Sequence, residues 1–384
     1  MCNKNIVLIG TTSSMMIQFR QDLIKVLHAN GWMLYTFICE YSSDDLEHLK
    51  ELGAIPVTYS MSRGGLNPLA DVRSVLELRK KIVSIAPDLV FSFFTKPVIY
   101  GTLASKLAGV KSINGMIEGL GTPFTIGPSG QSFKIKLIKK IQILLYRLSF
   151  PFLDKIIFLN PDDPKDLVEH YKIKTKKNAV QLLGAIGLNL DYYHYELWAD
   201  KSIRFIFVAR LLAEKGIFDY ISAAKIVKKQ YPNTIFTVIG GLDKENPSAL
   251  TEDQLSLLVK EGIIDYPGFV HNVPDYLAKS AVFVLPSYYR EGVPRSTQEA
   301  MAIGRPVITT DVPGCRETVI NGVNGFLVPK WNPEALAEKM LYFIEHPEKI
   351  NEMGQASRKM AEEKFDAKKV NAKLCKLLGI ESTH

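Results

Sequence analysis

Glu291 and Glu299 stand eight residues apart on either side of the turn Gly292-Val293-Pro294, and the second falls in the helical run 296–303. A carboxylate in the loop and another in the first helical turn both look toward the helix N-terminus. That end carries unpaired N–H groups and a partial positive charge, so it receives an anion such as a phosphate. The run Val307-Ile308-Thr309 reads as a buried strand, with Asp311-Val312-Pro313-Gly314 as the loop where open α/β sheets hold ligands. From the residues alone the structural reading comes first: Ser296-Thr297-Gln298-Glu299 has the form of a capping box, which alone accounts for Glu299 and is compatible with the other role. Arg210 and Lys215 follow another strand, 205–209. Cations at a strand's C-terminal end neutralise a diphosphate and stabilise the charge that grows as it leaves, although either one alone also reads as a surface cation near a helix start.

The elements that must position these groups alternate. Strand-like runs at 5–10, 33–39, 89–93 and 111–116 are separated by helical runs at 15–30, 69–86 and 98–108, and two more strands follow at 155–159 and 179–183. A second series runs through a strand at 205–209, a helix at 217–230 and strands at 235–239 and 283–285, and the 347–378 tail is helical. Alternation of this kind predicts α/β architecture: two doubly wound, Rossmann-like domains facing each other across a cleft. The aperiodic stretch 184–198 is the expected linker between an N-terminal domain, 1–190, and a C-terminal domain, 191–365, with the terminal helix 366–384 packing back on the first. Gly10-Thr11-Thr12-Ser13-Ser14 follows the first strand without the second glycine of a dinucleotide fingerprint. It reads as a polar turn with a serine helix cap.

The chain of 384 residues has 47% hydrophobic and 23% charged content, which is ordinary for globular domains. Its net charge of +7 is one-sided: residues 1–195 hold 23 Lys+Arg against 16 Asp+Glu, leaving 47 − 23 = 24 basic and 40 − 16 = 24 acidic residues beyond. No basic stripe with interleaved aromatics appears, so no nucleic-acid partner is expected, and an anionic surface or substrate faces the first half instead. Cys2, Cys39, Cys315 and Cys375 are scattered without a CxxC pair, a pattern of reduced cytoplasmic thiols. Neither a signal-peptide core nor a run of eighteen apolar residues is present. Asp44-Asp45 and Asp162-Asp163 read as helix-start acids, and no metal-ligand cluster is found.

The densest basic patch is 131–153, where Lys134, Lys136, Lys139, Lys140 and Arg147 occur without any acid. Phe133, Leu137, Ile141, Leu144, Leu145 and Leu148 recur at helical spacing. Such a helix either packs on a core with its lysines solvated or lies in the headgroup region of an anionic membrane; Ile135, Ile138 and Ile143 outside the stripe favour the membrane.

The stretch EGVPRSTQEAMAIGRPVITTDVPGCRETVINGVNGFLVP resembles the donor-site segment of family 4 retaining glycosyltransferases, whose motif is Glu, seven residues, Glu. The arrangement of strand, Arg210, four residues and Lys215-Gly216 resembles the same family. The resemblance implies the GT-B fold, with Arg210 and Lys215 on the donor diphosphate, Glu299 on the nucleotide ribose, Glu291 on the donor sugar, and the amides of Gly292 and Val293 on the phosphates. Gly10 would border the diphosphate, and Thr12 and Ser13 the acceptor. The segments Ser62–Pro68, Thr95–Gly101 and Asn114–Gly121 resemble the bacterial branch that adds N-acetylhexosamines to sugars on undecaprenyl diphosphate, in N-glycan, O-antigen or capsule assembly. They bring Arg63, Asn67 and Lys96 forward as acceptor contacts. Where many members carry a catalytic-site histidine this chain has Glu118, expected to contact the acceptor hydroxyl or the donor sugar.

The chemistry implied is retaining transfer from a UDP-sugar to a lipid-diphosphate-linked sugar, without a metal or other cofactor, at the cytoplasmic face of the inner membrane with peripheral contact through 131–153. Arg210, Lys215, Glu291 and Glu118 would be the groups around the reacting bond. Two rivals share such a fold. A non-hydrolysing nucleotide-sugar epimerase would convert its UDP-sugar without acceptor; a non-catalytic scaffold of a polysaccharide assembly complex would tolerate loss of Glu299.

Overall fold

The computed structural model describes residues 4–62, 68–200, 202–243 and 246–380. The chain divides into two compact units, one of Met1–Pro123, Ser132–Gly187 and Ala367–His384, the other of Phe124–Gln131 and Leu188–Asp366.

The first unit contains β1 (Asn5–Ile9), α1 (Ser13–Ala29), β2 (Met33–Ile38), α2 (Ser43–Glu51), β3 (Ala54–Thr58), α3 (Pro68–Ile85), β4 (Leu89–Phe93), α4 (Thr95–Leu107), β5 (Ser112–Ile117), α5 (Phe133–Ser149), β6 (Lys155–Phe158), the single turn α6 (Asp162–Pro164) and β7 (Val180–Leu182). The seven strands pair in parallel in the order β3-β2-β1-β4-β5-β6-β7. Ile6, Val7, Leu8 and Ile9 of β1 are fully buried, as both-face covering of a parallel sheet requires. Strand order reverses between β1 and β4, so the loop after Ile9 and the turn after Phe93 flank the crevice where such sheets bind ligands.

The second unit repeats the plan with β8 (Arg204–Val208), α7 (Ile217–Gln230), β9 (Ile235–Ile239), α8 (Glu252–Lys260), β10 (Asp265–Gly268), α9 (Val273–Ala278), β11 (Val282–Leu285), α10 (Arg295–Ile303), β12 (Val307–Thr310), β13 (Gly325–Val328), α11 (Pro333–Glu345) and α12 (Glu348–Lys364). Its parallel order is β10-β9-β8-β11-β12-β13, with the reversal between β8 and β11. The last helix, α13 (Ala367–Leu378), belongs to the first unit and packs on α1.

Residues 188–198 form no helix or strand, yet they are tied to the second unit. Arg358 donates to the carbonyls of Tyr193 (2.8 Å) and Ala302 (2.7 Å), Trp198 N–H donates to Asn351 (2.9 Å), and the fully buried Arg305 donates to the carbonyls of Ser280 (2.9 Å) and Glu196. Burial pulls the Arg305 guanidinium down to about 10. Three of its bonds run to carbonyls, which is how a buried cation meets its hydrogen-bonding need.

Candidate active site

In the second unit the site stands at the β8/β11 switch point. The segment after β8 is stapled to the segment after β11 by one carbonyl, that of Glu214, which accepts from Ser287 Oγ (3.0 Å) and from the amides of Tyr288 and Tyr289 (3.0 Å each). Gly216 makes the approach possible: at φ 82° a Cβ there would lie 2.1 Å from the Pro286 carbonyl oxygen. The staple delivers Lys215 to Glu291, whose carboxylate accepts from its ammonium, with Ser287 Oγ 3.4 Å from the same oxygen. The Lys215 ammonium also lies over the Tyr289 ring, 4.8 Å from its centroid.

Arg210 is more than half exposed and pairs with Asp243 at 3.4 Å. An exposed pair of this kind contributes under about 1 kcal/mol, so it holds the guanidinium only weakly.

Gly292 and Val293 lead into α10, and Gly314 (φ 85°) lets the next loop close on them, since a Cβ there would meet the carbonyls of Glu291 and Gly292 at 2.6 and 2.7 Å. The capping box expected from Ser296 and Glu299 is not formed. The N-cap is Pro294, no side chain caps the helix, and Ser296 is already inside it. Glu299 is instead drawn inward, where its Oε1 accepts from the Tyr193 hydroxyl (2.8 Å) and Arg295 Nε (3.0 Å). Burial raises the Glu299 carboxyl above its ordinary value; Arg295 first and then Tyr193 oppose the shift. The structural reading of Glu299 as a cap thus falls, and no side chain caps the first turn of α10.

In the first unit Gly10 sits where a Cβ would come within 2.7 Å of the Phe93 ring, so the loop can lie close against β4 only with glycine there. The cap of α1 is Thr12 and not a serine: its hydroxyl accepts from Met15 N–H at 3.1 Å. Thr12 is capping its helix and Ser13 donates to Asp45 at 2.6 Å, so both are occupied structurally. Lys96 donates to the Ser62 carbonyl (2.8 Å) and pairs with Asp71 (3.3 Å). Arg63 and Asn67 lie outside the described residues.

Glu118 is ion-paired with Arg20, and both side chains are buried. Arg20 is clamped between this carboxylate and the Phe93 ring, 4.5 Å from its centroid. Phe94, at the C-terminal end of β4, adopts φ 71°, ψ 160°, a conformation that favours glycine and marks local strain beside the crevice.

Three side chains that the sequence pattern left unmarked therefore act on marked ones: Arg20 on Glu118, Tyr193 on Glu299, and Ser287 on the Lys215–Glu291 pair. The acidic dipeptides Asp44-Asp45 and Asp162-Asp163 do sit in first helical turns. Among the described residues no three His, Cys, Asp or Glu side chains gather as a metal site.

Two parallel α/β units, each with its loops at a switch point, make this a GT-B architecture. The solved structures of sucrose-phosphate synthase from Thermosynechococcus elongatus (TM-score 0.77, 19% identity, 98% of both chains) and of Anabaena HepE in complex with UDP (TM-score 0.75, 17% identity, 98% of this chain and 99% of that one) share the fold. Residues 195–360 match the family model Glycosyl transferases group 1; the chain carries that domain and is a glycosyltransferase. It is 28% identical over 340 residues, 85% of its length and 86% of the relative's, to the N,N'-diacetylbacillosaminyl-diphospho-undecaprenol alpha-1,3-N-acetylgalactosaminyltransferase of Campylobacter jejuni. It is 27% identical over 270 residues, 68% and 67% of the two chains, to the UDP-Gal:alpha-D-GlcNAc-diphosphoundecaprenol alpha-1,3-galactosyltransferase of Escherichia coli.

Proposed function

We propose that the protein transfers an N-acetylhexosamine, N-acetylgalactosamine before others, from its UDP-sugar to a sugar carried on undecaprenyl diphosphate, with retention, in bacterial O-antigen or capsule assembly. The observation that carries this reading is the meeting of Lys215 and Glu291 just before α10, whose start no side chain caps, at the switch point where Arg210 follows β8, in a chain similar along 85% of its length to the Campylobacter transferase.

In this reading Arg210, Lys215 and the amides of Gly292 and Val293 take the diphosphate and stabilise the charge that builds on it as the sugar–phosphate bond breaks. Lys215 exchanges Glu291 for phosphate, which frees the carboxylate to accept from donor-sugar hydroxyls. Glu299 accepts from the ribose hydroxyls, held in place by Tyr193. The acceptor hydroxyl attacks the face the diphosphate leaves, and a phosphate oxygen takes its proton, so the protein supplies orientation and charge rather than an acid–base pair. Glu118, set by Arg20, contacts the acceptor or the donor sugar, and Gly10 borders the diphosphate. Transfer needs no metal: EDTA leaves the rate unchanged, whereas loss with EDTA and recovery with manganese would refute that part.

The protein works at the cytoplasmic face of the inner membrane, with α5 against the bilayer. Support comes from how α5 packs. It buries Gln142, Ile143, Tyr146 and Ser149, while Phe133, Leu137, Leu144 and Leu148 of the apolar stripe are exposed, Phe133 by 83%. That stripe does not serve the core, and Lys134, Lys136, Lys140 and Arg147 surround it. Among the described residues no helix is long and apolar enough to cross a membrane.

The test is a donor panel of UDP-GalNAc, UDP-GlcNAc, UDP-Gal, UDP-Glc and GDP-Man against a synthetic lipid-diphosphate sugar. Transfer from UDP-GalNAc is expected; epimer formation without acceptor, or no transfer from any donor, would overturn the reading.

A further inference from the structure

α3, α4 and α5 follow crossovers that all run the same way along the first sheet, so right-handed connections place them on one face, and α4 packs against both of its neighbours. α3 rests on the sheet side through Ser74, Leu78 and Ile82. Half a helical turn away lies a second apolar line, Leu69, Val72, Leu76 and Val83, each more than half exposed, with Leu69 at 75%. A helix that only serves a core carries its apolar residues on one side, so this second line is unexplained by folding.

The charges around the line have one sign. Arg73, Arg79 and Lys80 border it and are exposed. The helix's two acids are turned elsewhere, Asp71 to Lys96 at 3.3 Å and Glu77 to Lys81 at 3.6 Å and the Ser60 amide at 3.1 Å. Between α3 and α5, Leu107 at the end of α4 is also exposed, and Arg79 Nε donates to its carbonyl at 3.2 Å. α5 repeats the arrangement with its own exposed line and basic borders.

We propose that α3 joins α5 in a single docking face for an anionic phospholipid surface, the two apolar lines entering the headgroup region and the cations meeting lipid phosphates. The inference rests on the reading of α5 as membrane-facing and extends it to a helix more than forty residues earlier in the chain. A second copy of the chain fits the face poorly, because a two-fold contact would set cations against cations. A bilayer of anionic lipid meets both features at once.

The experiment is sedimentation of the full chain with phosphatidylethanolamine–phosphatidylglycerol vesicles, beside phosphatidylcholine vesicles as the neutral control. Leu76→Glu on α3 and Leu144→Glu on α5 are each expected to lower the bound-to-free ratio by about fivefold or more, the scale of one charge at an anionic surface. Arg73→Glu with Lys80→Glu, which disturbs no packed side chain, should do the same with an unchanged melting curve. If both α3 variants bind as wild type while Leu144→Glu does not, the role of α3 is overturned and that of α5 stands. Wild type left in the supernatant overturns both. A wild-type dimer that Leu76→Glu splits while vesicle binding persists assigns the face to a second copy and also overturns the proposal.

Discussion

Burial lifts the Glu299 carboxyl, and Arg295 and Tyr193 only partly offset it. A carboxyl raised on folding favours the folded state most below its unfolded value, and that contribution is lost as pH rises through the folded value. Glu299→Gln is therefore expected to melt higher than wild type at neutral pH, with the gain vanishing toward the acid side of the ordinary carboxylate range. The same variant should weaken UDP-sugar binding and erase the acidic limb of kcat/KM that the raised carboxyl creates. A gain in donor affinity would contradict its role. Tyr193→Phe removes one bond to this carboxylate, about 1.5–3 kcal/mol for a charged acceptor, so titration calorimetry should show UDP-sugar affinity down by at least tenfold while kcat moves little. Arg20→Met strands Glu118 in the interior and should cost about 3–5 kcal/mol in urea unfolding. Adding Glu118→Gln should recover most of that stability but not the transfer rate; recovery of both would reduce Glu118 to a structural role.

Between residues, the elements decide which side chains meet. The Glu214 carbonyl can hold the β11 segment only because Gly216 accepts φ 82° against Pro286. Gly216→Ala adds an unfavourable left-handed conformation of about 1–2 kcal/mol to that clash, so its melting temperature should fall and the KM for donor should rise as Lys215 leaves Glu291. Unaltered kinetics would show that the staple does not position the site. The alternating pattern made the central strands and helices α1, α3, α4, α5 and α7 legible, with β4, α7 and β9 at their expected bounds, but not α8, α9 and α11. The strands it missed, β3, β10 and β13, all sit at sheet edges; β3 and β10 contain Pro56 and Pro267, where a missing N–H is tolerated and the apolar signal is diluted, and β13 is only four residues long and opens on Gly325. The two glutamates and two cations were legible as well, because their spacing is local. The partners of Glu118 and Glu299 were not, since Arg20 and Glu118 are 98 residues apart and Tyr193 and Glu299 are 106 apart. The capping box failed because Pro294 took the N-cap and began the helix one residue early, at Arg295.

At the scale of the molecule, the net charge of +7 resides in residues 1–195 while the donor-type constellation lies in the balanced second half. The two halves have different partners in this account, a lipid-borne anion for the first and a nucleotide diphosphate for the second. Retaining transfer of a sugar from the second partner to the first is the proposed reaction. The most direct measurement is nuclear magnetic resonance of the product formed from UDP-GalNAc and a synthetic undecaprenyl-diphosphate sugar, read at the new anomeric centre. An α-linked product is expected from wild type, its rate falling on the order of a hundredfold in Lys215→Ala, the scale of one donor to the developing charge. A β-linked product, or full activity in Lys215→Ala, would contradict the proposal.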